Sequence, residues 1–511
     1  MSIVTLRFFI FTAVACAEYW LCPRRGRWVV LLIASGLFLV VNTGLHPAVS
    51  AVFVGEVLLT WLAALAVRRL PGERLRTAVA GGTVVLLAAV LILYKDLLFF
   101  VSNINLAGAL IGRNPGLTVP QWPSPFGISY FTLILIGYLL DVRWGTVEEP
   151  ERNPLKMLLF AGYFPQMTSG PFTRYGDMAP ALFAGAEWSW KRFCFGCERF
   201  LWGLFKKLVV ADRMAVAVAA LYSGTDYTGL WVPVAAAAYI GQLYADFSGC
   251  MDIVIGISEM FGVPLAENFR RPFSAVSLSE LWRRWHITLG AWVRDYLMYP
   301  VLKSGWMKRV RSFCRKRLGK KASREIPTYI GMFITWFCVG FWHGGSWKYI
   351  FGSGLFFFAM IAGGMLLDPV FKKLIALLRI NTEAWSWKFF RQARSFVLFA
   401  AAVSFDRRDS FGAGLAAWKS ALTVWNPGAL RHGAILQLGL SGMDLVICAL
   451  GFGAILAVSM LQERHGGVRE LLLKQNRVFR WLVYLGLLGA VLFLGCYGPE
   501  WGEAEFIYAN F

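Results

Sequence analysis

Charge is scarce in this chain. Only 16% of its 511 residues are Asp, Glu, Lys or Arg, whereas a water-soluble globular protein carries roughly 25%. Acidic residues are the scarcer sign, 30 against 51 Lys and Arg, and 57% of the chain is hydrophobic. Also missing is any long polar or Pro/Ser-rich linker of the kind that would divide a soluble chain of this length into domains. These absences exclude a soluble multidomain protein and point to one polytopic membrane domain over 1–511. Hydrophobic windows recur at 5–21, 28–44, 51–67, 79–100, 126–142, 156–168, 200–221, 230–256, 327–342, 348–368, 393–405, 439–459 and 478–495. Judged against the roughly 20 residues that a crossing needs, they predict an all-α protein with about eleven transmembrane helices plus re-entrant or interfacial pieces.

Other absences narrow the chemistry. Residues 1–21 lack a strong basic leader and a small-residue cleavage site, so they read as a retained first helix. The nine cysteines are scattered and suggest neither a disulfide scaffold nor a zinc site. There is no G-x-S-x-G elbow and no H-E-x-x-H, so neither a serine hydrolase nor a zinc peptidase is supported. No metal and no tightly bound cofactor is expected. The net charge of +21 comes without a nucleic-acid recognition module, and the cations flank apolar segments, which is the pattern of topology signals and lipid contact. Membrane lipids are therefore expected partners and nucleic acid is not. The densest basic run, 303–325, holds ten Lys or Arg from Lys303 to Arg324 with no acid among them and reads as a cytoplasmic loop. It would contact lipid or dock an anionic acyl donor or acidic carrier.

Histidine is rarer still, five in all, yet two sit in apolar, tryptophan-rich sequence: His286 in WRRWHITL and His343 in FWHGGSW. Trp282, Trp285, Leu289 and Trp292 recur every three or four residues, which predicts one amphipathic helix through 281–300, at an interface or re-entrant. A buried histidine is often merely structural. The alternative is proton exchange near neutral pH, since neutral imidazole survives desolvation better than a carboxylate. The reaction that suits one unpaired base is direct acyl transfer to a hydroxyl, with nearby donors on the oxyanion; the Gly344 and Gly345 N–H groups either serve there or simply end the helix. Asp246 and Asp252, in YADFSGCMD, lie in an apolar helix, where carboxylates need protein partners, and they read first as anchors. Gly170 and Pro171 should bend the chain, leaving Ser169, Arg174 and Asp177 to face a polar cavity or serve structure.

Six stretches, in order, complete the sequence reading: FGISYF at Phe126–Phe131, running on to Tyr138 and Asp141; FPQMTSGPFTRY at Phe164–Tyr175; GLFKK at Gly203–Lys207; YADFSG at Tyr244–Gly249; NFRRPF at Asn268–Phe273, leading into WRRWHITL; and FWHG at Phe341–Gly344. Together they resemble the membrane-bound O-acyltransferase family, in particular its bacterial polymer-modifying branch. The resemblance implies a helical fold with a central tunnel or funnel and a motif-rich catalytic core over 126–370. It implies residence in a bacterial inner membrane and His343 as catalytic base, aided by His286. Candidates for the substrate cavity are Ser169, Arg174, Asp246, Ser248, Asp252, Arg283, Trp285 and Trp342. The implied donor is acetyl-CoA or a carrier-linked acyl group. The implied acceptor is a cell-surface polysaccharide, with a secreted or tethered acyltransferase completing transfer, or teichoic acid, with an acidic acyl-carrier protein supplying D-alanine. After Tyr299 and Pro300 the chain reads Val301, Leu302, Lys303, Ser304 instead of the Gly-Gly-Asn run of alginate-type members, which argues against alginate itself. The closing YGPEWG and the FIY of Phe506–Tyr508 resemble an aromatic interfacial cap of that branch. No internal repeat supports a transporter.

Overall fold

The computed structural model describes residues 1–44, 46–113, 115–120, 122–223, 227–430, 434–497, 501 and 506. Its regular structure is helical throughout, apart from one isolated antiparallel bridge between Phe269 and Trp285. The Cα packing forms two compact units, one of Met1–Lys207, Phe247–Glu267 and Arg469–Phe511, the other of Leu208–Asp246 and Asn268–Val468.

Among the described residues, six helices are long and apolar enough to cross a membrane, where the hydrophobic windows predict about eleven. They are Arg24–Asn42, Pro47–Arg69, Glu73–Lys95, Lys348–Leu377, Gly442–His465 and Arg477–Leu494. The remaining windows fall short for identifiable reasons. Window 126–142 becomes Ile128–Trp144, only 17 residues, with nearly every side chain buried, and a helix apolar all round is an internal one. Window 156–168 is helical only through Pro154–Gly162 and then turns, already ahead of Gly170 and Pro171. Window 200–221 contains buried Lys206, Lys207, Asp212 and Arg213. The predicted basic loop 303–325 is helical instead: it opens the helix Gly305–His343, which is interrupted at Gly319, where φ is 89°. Lys and Arg are good helix formers, so a basic run lacking Pro can continue a helix.

In the first unit, Pro47–Arg69 packs on both Glu73–Lys95 and Ile128–Trp144. Gly127 starts the latter at φ 76°, and a Cβ there would come within 2.3 Å of the Met167 carbonyl oxygen, so only glycine fits. The helix Trp190–Leu204 lies against the later part of Trp231–Met260 through two glycine pairs, Gly196 with Gly256 and Gly203 with Gly249. A Cβ at Gly203 would approach the Gly249 carbonyl oxygen to 2.6 Å, a backbone proximity that small residues permit between membrane helices. Cys194 and Cys197, at C-x-x-C spacing on this helix, are free thiols. Of the closing motif, 498–500, 502–505 and 507–511 lie outside the described residues. Phe506 is buried, with Lys207 Nζ 4.4 Å from its ring centroid.

Candidate active site

The second unit gathers Asp246, Arg283, Trp285, His286, Trp342 and His343; Ser169, Arg174, Ser248 and Asp252 belong to the first. The single helix predicted over 281–300 is broken. Its pieces are Leu278–Arg284, Ile287–Val293, Arg294–Met298 and Tyr299–Lys303, and the break falls on His286, whose backbone is left-handed at φ 48°, ψ 50°. Side chains with a Cβ rarely adopt that conformation, so something must hold it there.

The holder is Asn268. The Arg270 N–H donates to the Arg284 carbonyl (2.9 Å) and the Ile287 N–H to the Asn268 carbonyl (3.0 Å), tying the two strands on either side of the Phe269–Trp285 bridge. The Asn268 side chain then reaches over the break. Its Oδ1 accepts from the Thr288 N–H (3.1 Å) and the Thr288 hydroxyl (2.9 Å), and it meets His286 Nδ1 at 3.1 Å. A backbone N–H can only donate, so the Asn268 atom facing it is the carbonyl oxygen. An amide oxygen can only accept, so His286 Nδ1 carries the proton and Nε2 the lone pair. His286 is 1% exposed. Burial pushes its pKa well below the ordinary imidazole value, and the second cause is repulsion from His343. Both causes favour the neutral form of His286.

His343 is the last residue of Gly305–His343, half-buried, with the Trp342 ring centroid 5.1 Å from its own. The Gly344 N–H donates to the Phe341 carbonyl at 3.2 Å, so it closes the helix and is not available as the oxyanion donor that the sequence suggests. Gly344 instead makes room for Tyr349: a Cβ there would meet the ring at 2.8 Å. One turn back, Gly340 lies against Gly354, with a Cβ-to-Cα clearance of only 3.1 Å. This close contact fixes the height of the helix end.

The family model for MBOAT, the membrane-bound O-acyltransferase family, matches residues 127–314. A probable alginate O-acetylase of Pseudomonas syringae pv. tomato is 30% identical over 395 residues, covering 76% of this chain and 69% of that protein. The chain belongs to the membrane-bound O-acyltransferase family. A peptidoglycan O-acetyltransferase of Helicobacter pylori is 30% identical over 283 residues, with 50% and 49% covered. A teichoic acid D-alanyltransferase of Lacticaseibacillus rhamnosus is 29% identical over 241 residues, with 44% and 55% covered. This chain is accordingly a multi-pass membrane-bound O-acyltransferase, and its likeness to these proteins agrees with a bacterial inner membrane.

The other predicted residues of this acyltransferase divide by surroundings. Trp285 is 2% exposed among Tyr244, Phe269, Phe273 and Phe399, which is a packing role. Arg283 is exposed and Asp246 buried. In the first unit, Ser169 is buried in the turn after Pro154–Gly162 and Arg174 caps Tyr175–Ala184, while Asp177 is exposed in that helix's first turn. Ser248 is buried, and its hydroxyl has no partner among the described residues. Asp252 is clamped between Arg199 and Lys206. Asn268 and Thr288 escaped sequence reasoning as site residues. Asn268 opens NFRRPF, but only the fold shows that it serves a histidine 18 residues later. Replacing Asn268 by Ala leaves the Thr288 donors and His286 Nδ1 without their shared acceptor. The expected cost is about 2–4 kcal/mol of stability, read by thermal unfolding in detergent, together with slower acyl transfer. Unchanged unfolding would sink this reading of Asn268.

Proposed function

We propose that this acyltransferase moves an acetyl or similar short acyl group from a cytoplasmic-side thioester donor to hydroxyls of a cell-surface polysaccharide. The observation that carries the proposal is the pair of imidazoles, one buried and fixed in its tautomer by Asn268 and the other at a helix end, in a chain 30% identical to a probable alginate O-acetylase. In this reading His343 takes the acceptor hydroxyl proton as the oxygen attacks the acyl carbonyl. The new C–O bond forms, the donor C–S bond breaks, and the imidazolium returns its proton to the departing sulfur. His286, held neutral beside it, orients substrate without adding a second positive charge.

The donor is acetyl-CoA or a carrier-linked acyl group. A tunnel within the helical membrane domain brings it to His343. A secreted or tethered acyltransferase completes delivery to the polymer. A second reading, D-alanyl transfer from an acidic carrier protein toward teichoic acid, is favoured by the likeness to the D-alanyltransferase.

Mass spectrometry of base-labile groups on surface polymers, from cells with and without the chain, separates these. Acetate released only when the chain is present supports the proposal. D-alanine in its place transfers support to the second reading, and identical ester content would remove surface esterification altogether.

A further inference from the structure

The helix break at Gly319 does more than redirect the chain. Arg311 and Arg315 precede it, and Lys320, Ser323 and Arg324 follow it; these five line a single open cleft of about 400 Å³. All four cations are exposed, and the segment from 303 to 325 contains one ion pair among the described residues, Lys321 with Glu325 at 3.8 Å. None of the four cleft cations shares it. Like charges four residues apart on a helix repel, and here two such pairs, Arg311 with Arg315 and Lys320 with Arg324, face one cavity. The cleft is therefore a site whose counter-charge comes from outside the protein.

The surroundings identify the kind of anion. On the helical turns before the break, Trp306, Phe313 and Leu318 are 49%, 62% and 59% exposed among the cations. A helix that exposes large apolar side chains between Lys and Arg lies along a membrane surface. The depth agrees. The apolar part of the second half begins at Pro327, and Arg324 and Lys320 precede it by three and seven residues, about 5 and 10 Å along the axis. A headgroup layer is about 5–7 Å thick on each side of the hydrocarbon, so the Arg324 backbone lies within it and Lys320 lies just outside, where its long side chain reaches back to it. Dense Lys and Arg place this end of the helix at the cytoplasmic face.

We propose that the Gly319 cleft binds the phosphate headgroup of an anionic phospholipid of the cytoplasmic leaflet. Arg311 and Arg315 grip it from one helical half and Lys320 and Arg324 from the other, while the acyl chains lie beside Phe313 and Leu318. A bound lipid would set the depth of the helix that ends in His343. The inference does not depend on which acyl group or acceptor the enzyme uses.

The test measures retention of fluorescent phosphatidylglycerol and phosphatidylcholine by the purified full chain in detergent. The double variant Arg315→Gln/Arg324→Gln is compared with Lys308→Gln/Lys316→Gln, which removes the same charge outside the cleft. Each headgroup cation near a membrane surface is worth about fivefold in binding, so the cleft variant should lose about tenfold or more of phosphatidylglycerol retention. The control variant should lose much less, with phosphatidylcholine weak throughout. Equal losses in the two variants, or no preference for phosphatidylglycerol, would overturn the proposal. Inorganic pyrophosphate, coenzyme A and an acidic carrier protein form the competing arms. Complete displacement of the lipid by any of these at low millimolar concentration would reassign the cleft to a soluble ligand and overturn the lipid assignment. Matching unfolding temperatures for all three proteins ensure that a loss of retention is a loss of binding.

Discussion

His343→Ala lowers acyl transfer by about 10²–10⁴-fold, the contribution of a positioned general base, and leaves the folded protein in the membrane. The second half of that expectation follows from how the residue is held. The helix end is set by the Gly340–Gly354 approach and by Tyr349 against Gly344, beneath a half-buried imidazole at the terminus. Removing the ring deletes the proposed proton acceptor and leaves the glycine contacts beneath it in place. His286→Ala should behave differently. That ring is fully enclosed and hydrogen-bonded to Asn268, so its loss costs stability as well as rate. The measurement is ester formed per unit of membrane-inserted protein, with unfolding temperature recorded in parallel. A His343→Ala protein that keeps more than half its transfer rate would remove the base from the mechanism. One that is slow but also misfolded would show that the helix end depends on the ring.

What the sequence discloses depends on whether the cause is local. The windows 28–44, 51–67, 439–459 and 478–495 correspond closely to helices Arg27–Asn42, Pro47–Arg69, Gly442–His465 and Arg477–Leu494, because a long apolar run carries its own explanation. The aromatic periodicity of 281–300 is just as regular and yet misleads. The helix stops at His286 because Asn268, far back in the chain, offers an acceptor that an unbroken helix could not use. The basic run 303–325 misleads in the opposite direction: its charge suggests a loop, but only Ser304, between two helices, and Gly319 depart from helical geometry. At the site, the two histidines were conspicuous as rare polar residues in apolar sequence, whereas Asn268 and Tyr349 were not. An asparagine or a tyrosine near a turn is ordinary until a partner brought by tertiary packing gives it a task.

The same distinction governs Asp252, whose cost at its depth is legible in the sequence but whose partners are not. Its Oδ1 accepts from Arg199 Nε at 2.9 Å and its Oδ2 from Lys206 Nζ at 2.6 Å, while the other Arg199 nitrogens donate to Glu267 at 2.6 Å. The Asp252, Arg199 and Lys206 side chains are only 13%, 14% and 9% exposed. Arg199 and Lys206 stand on the helix whose Gly196 and Gly203 let it approach Gly249 and Gly256, so the glycine pairs and the ion pairs are one device: the first bring the backbones together and the second fix their register. Asp252→Ala leaves Lys206 buried with its charge uncompensated and should cost about 3–5 kcal/mol, as breaking a buried pair does. Asp252→Leu combined with Lys206→Met removes both charges and should cost much less than either change alone, because the desolvation penalty disappears with them. Unfolding in detergent measures all four proteins of the cycle. Additive losses would mean that the pair contributes no coupling, and Asp252 would return to the list of substrate-facing carboxylates. Strong coupling, with acyl transfer preserved in the double variant, would make it a clamp between two helices and not a group that meets the substrate.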